Sequence, residues 1–339
     1  MSQLQVNNIT DTGGSTLLGR RNAIINGNFD VWQRGTSQTV SGYGSADRWN
    51  LSGSTSTWAI TQQSFTVGQT DVPHNPKYYY RNVVTTGSTA GSYTLMTHAV
   101  EDVRTFAGET VTLSFYAKAD ASKNVAVELA QNFGTGGSPS AQVTTAPETI
   151  SLTTSWAKYT VTVALPSLSG KTLGTNDDHK LGVYIWLDAG SDYNARTNSL
   201  GNQSGTFEFA QVQLEAGSVA TPFERRSYGE ELALCQRYYE ACGGSSDEQV
   251  AVAYSTSSLR GQYSEFTVQK RTSPTMLMQR TEGGASNLIQ VYQGGSYSDK
   301  TGSFNGVDPR GFTSNTGTGT YTAGDSYITL FYWEADAEL

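Results

Sequence analysis

The chain has 339 residues, a formal net charge of −8, and 15% charged against 37% hydrophobic side chains. With 36 Gly and 19 Tyr, the composition suits short strands, frequent turns and wide polar faces, and the length suits two cores joined by a linker. The acidic balance offers no basic footprint for a phosphate backbone, so nucleic acid is excluded as the expected partner, and no stretch approaches the roughly 18 apolar residues of a membrane-spanning helix.

In residues 1–21, Leu4, Val6 and Ile9 alternate weakly before Asp11-Thr12-Gly13-Gly14 breaks the pattern. So few apolar residues bury little alone, and the segment reads as either a frayed tail or a strand that docks on another subunit, the second of which fits an attachment segment. The start, MSQLQVNNITDTGGST, has neither the charged nor the apolar region of a secretory leader, so folding in a cytoplasm is expected.

From Asn22 the pattern firms. NAIINGNFDVWQRGT carries an Asn-Gly turn signal followed by Phe29 and Val31. VTLSFYAKAD alternates strictly, with Val111, Leu113, Phe115 and Ala117 on one face and Thr112, Ser114, Tyr116 and Lys118 on the other. The same grammar recurs with Val125, Val127 and Leu129, with Tyr159, Val161, Val163 and Leu165, and with Leu181, Val183, Ile185 and Leu187. In FEFAQVQLEAG, Phe207 and Phe209 are out of phase with Val212 and Leu214, which predicts a bulge near Ala210 or Gln211. Six or more such strands with Gly/Ser-rich connections predict two antiparallel sheets packed as a β-sandwich over residues 22–226, closed by its first and last strands meeting the core together.

Small residues from Gly217 to Thr221 then form a tether, and Pro222 cannot continue a ladder. Ser227-Tyr228-Gly229-Glu230 has the capping-box spacing, so residues 227–244 read as a connector helix. Its buried stripe would be Leu232, Cys235, Tyr239 and Cys242, and its stop Gly243-Gly244. Cys235 and Cys242, the two cysteines of the chain, read as small apolar residues. Glu224, Arg225 and Arg226 read as a salt-bridged collar around the connector. Residues 245–339 return to strands (QVAVAYS, QYSEFTVQKR, TMLMQR, NLIQVYQ, GFTSNT and SYITLFYWEADAEL), and the last, the most apolar, must be paired within a second β domain.

Three stretches together resemble phage tail-fibre and receptor-binding virion proteins: INGNFDVWQRGT with SADRWN, the junction QLEAGSVATPFERRSYGEELALCQRYY, and the terminal YWEADAEL. The resemblance implies an all-β virion protein with a carbohydrate-binding-module-like jelly roll, a connector helix and a second, sandwich-like β domain that meets the host surface. It also implies a homotrimer, docking on other tail or baseplate proteins through residues 1–21, and synthesis in the host cytoplasm. No fixed-period shaft repeat is present, so the expectation is a compact tail appendage or a decoration protein of tail or head.

Sugar binding needs flat aromatic faces beside amides and carboxylates on a rigid sheet. Tyr116, Lys118, Tyr184, Trp186, Glu208 and Gln213 all alternate away from the core and are the glycan candidates of the sandwich. Tyr254, Tyr263, Tyr292, Tyr297 and Tyr321 are those of the distal domain, where Tyr beside Ser, Gly and Gln gives recognition area at low entropy cost. The alternative for every one of them is packing against a loop, a strand or a neighbouring subunit. Sandwiches of this kind often hold a structural calcium, for which Asn28 with Asp30, or Asp177 with Asp178, would offer oxygens. No cofactor is expected. His74, His98 and His179 accompany no G-x-S-x-G or H-E-x-x-H motif, and the carboxylate pairs Glu101-Asp102 and Asp177-Asp178 read as loop charges, which favours an adhesin over a polysaccharide depolymerase.

Overall fold

The computed structural model describes residues 21–243, 246–317 and 319–339. The expected attachment segment therefore lies outside the described residues except for Arg21, as does Gly244 of the expected helix stop. The chain divides into two units, one ending at Tyr228 and the other running from Gly229 to Glu338.

The first unit contains β1 (Ser37–Gln38), β2 (Trp49–Ser54), β3 (Thr57–Ser64), β4 (Tyr78–Thr85), β5 (Tyr93–Glu101), β6 (Thr110–Ala119), β7 (Lys123–Asn132), β8 (Val143–Thr144), β9 (Glu148–Leu152), β10 (Ala157–Ala164), β11 (Lys180–Ala189) and β12 (Gly205–Ala216), with a 3-10 turn at Ser191–Tyr193 leading into α1 (Asn194–Thr197). One antiparallel sheet runs β1-β3-β4-β12-β6-β10. The second runs β2-β5-β11-β7, with β8 and β9 both paired to β7. Inward residues of the two sheets, among them Leu113 and Phe115 of β6, Val125 and Leu129 of β7, and Val183 and Ile185 of β11, join one apolar cluster. Each such side chain contributes about 1.5–3 kcal/mol by leaving water. The predicted alternation holds on all three strands.

The bulge predicted from the phase change is present. Pairing of β12 with β6 slips between Ala210 and Gln213, and Gln211 takes φ 50. The extra residue lets Phe207, Phe209, Val212 and Leu214 all reach the core at 0% exposure. Beyond the bulge, the opening segment takes the place of β4 beside β12: Ala23 N–H donates to Leu214 O (2.9 Å), and Val212 N–H to Gly27 O (2.8 Å). Gly27 is required there, since a Cβ would sit 2.1 Å from the Val212 oxygen. This segment is a buried, turn-rich plug with no strand of its own. Asn26 holds it, donating to the carbonyls of Val31 (2.8 Å) and Asp47 (3.0 Å) and accepting from Val31 N–H (3.0 Å).

The tether after β12 is clasped by side chains. Glu215 accepts from Thr221 N–H (2.9 Å), the Thr221 hydroxyl (2.7 Å) and the Gln213 amide (2.7 Å). Glu224 N–H donates to Gln213 Oε1 at 2.7 Å. The Glu224 carboxylate accepts from Asn22 N–H at 3.1 Å and pairs with Arg21 and Arg226, and Arg226 donates to Ile24 O at 3.0 Å. The collar expected between domains instead binds the two ends of the sandwich together. Arg225 faces Asp30, whose carboxyl is nonetheless raised by burial.

In the second unit α2 (Tyr228–Gln236) is followed by β13 (Tyr239–Ala241), β14 (Asp247–Ser255), β15 (Ser258–Glu265), β16 (Thr275–Gln279), β17 (Leu288–Gln293), β18 (Ser296–Asp308), β19 (Gly311–Thr316) and β20 (Ser326–Asp336). The helix begins immediately after Ser227, with Glu230 and Glu231 in its first turn. It is shorter than predicted. Of the expected stripe, Tyr239 and Cys242 lie beyond the helix, and the Tyr239 backbone pairs with Asp336 of β20. The sheet β20-β14-β15-β19-β18-β17 closes on itself, since β17 pairs with both β18 and β20. The terminal strand is thus paired, as its apolar sequence requires. Phe266, Met278, Ile289, Phe312, Phe331 and Trp333 form one interior cluster, and Ala251, Leu259, Val291 and Tyr321 another.

Two stability predictions follow from the first unit. Glu215→Ala strips the acceptor from three donors at roughly 1 kcal/mol each, so chemical denaturation should show a loss of about 2–3 kcal/mol. His98 is buried, its ring edge against Trp49 (centroids 5.0 Å) and its Nε2 at 3.1–3.2 Å from the Ile25 backbone. Burial, then Arg48 and Arg226, hold its imidazole well below the ordinary value. Below about pH 6.5 the unfolded chain takes up a proton that the folded chain refuses, so stability should fall by about 1.4 kcal/mol per pH unit until the folded value is reached. Denaturant melts from pH 7.5 to 5 should show that extra slope, and His98→Asn should lack it.

Candidate glycan-binding face

The outer face of the second sheet is built from cross-strand rows. Asn50, Thr97, Tyr184 and Glu128 lie side by side across β2, β5, β11 and β7, and the next row along is Ser52, Leu95, Trp186 and Ala126. On the other side of Tyr184 the row is Ala99, Gly182 and Ala130. These small residues leave the sheet low, and a hollow opens over Ala99 and Gly182, lined also by Asn50, Thr97, Gln142, Lys180, Tyr184 and Arg196. The Tyr184 ring lies along the strand over Gly182, where a Cβ would come within 2.7 Å of it. Glycine at that position is what lets a flat aromatic ring lie in the hollow.

A short segment fixes the site. The turn Ser191–Tyr193 and α1 fold over the Trp186 row, stacking Tyr193 against Tyr93 (4.9 Å) and Trp186 (5.3 Å). Trp186 is left 1% exposed. Arg196 reaches from α1 with its guanidinium carbon 5.5 Å from the centre of the Tyr184 ring and 5.0 Å from that of Trp186. It pairs with the buried Glu128, which also accepts from the Trp186 indole at 3.2 Å. Burial raises the Glu128 carboxyl above its usual range, opposed by Arg196. The arrangement offers an aromatic face, a guanidinium held in place by an ion pair, and amide and hydroxyl groups around a shallow floor, which suits the apolar faces and hydroxyls of a sugar ring.

The sandwich residues singled out by alternation do not form one site. Tyr184 and Trp186 sit on the second sheet, whereas Tyr116, Lys118, Glu208 and Gln213 sit on the outer face of the first, because alternation fixes which way a side chain points and not which sheet carries the strand. Glu208 lies between Arg81 and Lys118 in one row, with Lys118 Nζ at 2.9 Å from its carboxylate. Lys118 and Arg81 also lie over the rings of Trp156 and Tyr79, which pack with Phe65. Gln213, expected outward, is fully buried under the tether with its amide engaged. Arg196 and Glu128 were missed. Glu128 was legible as an outward residue of an alternating strand, but α1 lies in a polar stretch without periodicity.

In the second unit Tyr254, Tyr263, Tyr292 and Tyr297 are 40–63% exposed, while Tyr321 is buried. Tyr292 and Tyr297 are cross-strand partners at 5.0 Å and continue a row through Ile328 to Val250. Asn28 donates its amide to Asp30 at 2.8 Å, and Asp178 accepts from Thr135 N–H (2.7 Å) and its hydroxyl (2.6 Å), which holds that carboxyl below its usual range against the opposing effect of burial. Each pair supplies far fewer than the six to eight oxygens that calcium takes, and among the described residues no group of three or more His, Cys, Asp or Glu is placed to hold a metal ion. Asp102 is engaged by Arg104 and His179.

Among curated proteins none matches this chain. Similar solved structures include the enzymatically active domain of tailspike protein 4 from bacteriophage CBA120, at 13% identity and a TM-score of 0.35 over 58% of this chain and 21% of that one, so that the match spans about a fifth of that domain's length. A family 11 carbohydrate-binding module from Clostridium thermocellum, solved with a beta-1,3-1,4-mixed-linked tetrasaccharide, is similar at 11% identity and a TM-score of 0.33 over 55% of this chain and 98% of its own. The N-terminal cellulose-binding domain of Cellulomonas fimi beta-1,4-glucanase C is similar at 16% identity and a TM-score of 0.32 over 56% and 100%. Residues 21–189 match the family model of a carbohydrate binding domain, a stretch that contains Tyr184, Trp186 and Glu128 and ends just before the turn that delivers Arg196.

Proposed function

We propose that the first unit binds a surface glycan in the hollow over Gly182, and that the chain is a structural protein of a bacteriophage virion, a tail fibre or similar appendage that adheres to the host cell. The observation that carries the glycan reading is the Tyr184 ring, laid over Gly182 and held beneath the Arg196 guanidinium that Glu128 anchors. The match of residues 21–189 to a carbohydrate binding domain supports it. The virion role rests on the sequence resemblance of the opening, junction and terminal motifs. In this reading the exposed tyrosines of the second unit add a further contact surface, and several weak contacts on a multimeric particle gain avidity through shared geometry.

On an array of bacterial capsule and lipopolysaccharide glycans, the full chain should retain a subset without releasing new reducing ends. Oligosaccharide release would instead favour a depolymerase. For a retained glycan, titration calorimetry should show Tyr184→Ala weakening binding about tenfold, roughly 1.4 kcal/mol, since a stacked aromatic face is lost. Unchanged affinity would remove the hollow from consideration.

Glu128→Gln keeps the side-chain volume but releases Arg196 from its ion pair. It should weaken binding severalfold by restoring motion to Arg196, while the thermal melt of the free protein changes little because burial already disfavours the charged carboxyl.

A further inference from the structure

We propose that a recess on the outer face of the first sheet is a second saccharide site, separate from the hollow over Gly182 and taking a single hydroxyl-bearing ring. The recess lies beside the bulge of β12, has a volume of about 290 Å3, and is walled by Pro73, Tyr116, Gln211, Pro222 and Phe223. That volume stands at the low end of small-molecule pockets, roughly 300–1,000 Å3, so it suits one ring and not an extended chain.

Gln211 points to the ligand. The bulge forces it to φ 50, a conformation that L residues seldom adopt. Its side chain is 97% buried at the recess, since only 3% of the residue is exposed. Its amide nitrogen donates to Pro73 O at 2.7 Å, while Oε1 is buried with no hydrogen-bond partner among the described residues. A buried acceptor left unpaired is costly, and the group it lacks is a donor. Ser114 and Tyr116, two residues apart on β6, bring two hydroxyls to the same recess, with Tyr116 opposite the small Ala210. Lys158 also lines the recess, its Nζ held 3.0 Å from Thr221 O, as does the exposed His74, and no carboxylate does. Proline and aromatic rings for C–H faces, with the hydroxyl-bearing Ser114 and Tyr116 and a buried amide oxygen that no donor among the described residues meets, match a neutral monosaccharide unit.

The two sites lie on opposite sheets of one rigid sandwich, so one molecule would engage two glycan strands or two branches of one. That arrangement raises retention on a dense surface without raising the affinity of either site.

The probes are the methyl glycosides of glucose, galactose, mannose and N-acetylglucosamine, titrated at millimolar concentration into the full chain and followed by protein NMR shifts. Tyr184→Ala is used as the background, so that the recess is read independently of the hollow. At least one glycoside should bind this variant, and adding Tyr116→Ala should weaken it fivefold or more. Adding Ala220→Trp, which fills the mouth of the recess from the tether, should abolish binding and remains decisive if Tyr116→Ala folds poorly. If no glycoside binds the Tyr184→Ala protein, Gln211 Oε1 is met by water alone and the proposal is overturned. Binding that survives Ala220→Trp overturns it equally.

Discussion

The first unit depends on fitting one strand, β12, to two neighbours that need different registers. Its first half lies between β4 and β6, and its second half lies between β6 and the opening segment of the chain. Both halves must send apolar residues into the same core, yet the sequence between them has one residue too many for a continuous period of two. The bulge at Gln211 resolves the conflict. Without it, either Phe207 and Phe209 or Val212 and Leu214 would turn to solvent, and each such side chain contributes about 1.5–3 kcal/mol by its burial. The strain at Gln211 is outweighed several times over, and the buried carbonyl of Val212 in turn dictates glycine at position 27.

Much of this was legible in the sequence because burial on one face writes itself as alternation. The strands β6, β7, β11 and β12, the bulge, and the pairing of the terminal strand could all be read that way. What alternation cannot carry is which sheet a strand joins, so Tyr116 and Tyr184 both read as outward residues although they lie on different sheets. Long-range strand pairing sets that assignment: β6 pairs with β10 and β12, and β11 with β5 and β7. The 13-residue β18, SYSDKTGSFNGVD, was invisible for a related reason. Most of its side chains are exposed or half-buried, its interior contact is concentrated at Gly302 and Phe304, and a strand that buries so little leaves no apolar period to read. Tyr239 shows the opposite error, a residue that fits a helical stripe but is claimed by backbone pairing with β20.

Buried charge in this protein holds geometry more than it adds stability. Glu128 sits under Arg196, Glu208 lies between Arg81 and Lys118, and in the second unit Lys270 is enclosed with its ammonium on Glu240 and on the carbonyls of Gln236 (2.6 Å) and Val268 (2.9 Å). Desolvation lowers the Lys270 ammonium from its usual range even with Glu240 beside it, in keeping with the cost of taking both charges out of water. Each pair instead fixes a loop or side chain that has few apolar contacts of its own: α1 through Arg196, and residues 267–270 through Lys270. Where a segment is too polar to be held by packing, a satisfied ion pair with one or two hydrogen bonds holds it.

The same logic accounts for the shape of the hollow over Gly182. A sheet face grips a ligand only where something breaks its uniform relief, and here the break comes from a row of the smallest side chains, Ala99, Gly182 and Ala130, beside a row of large ones. Tyr184 fills the step between them by lying flat, with the strand beneath its ring and the Arg196 guanidinium nearby. A side chain already held in this way gives up little further freedom when a ring stacks on it, and the cost of ordering is met during folding and not during binding. On the proposed glycan reading, affinity at so shallow a floor would stay modest because little surface is enclosed, and specificity would rest on the fixed spacing between Tyr184, Arg196, Asn50 and Thr97, which strand pairing keeps constant.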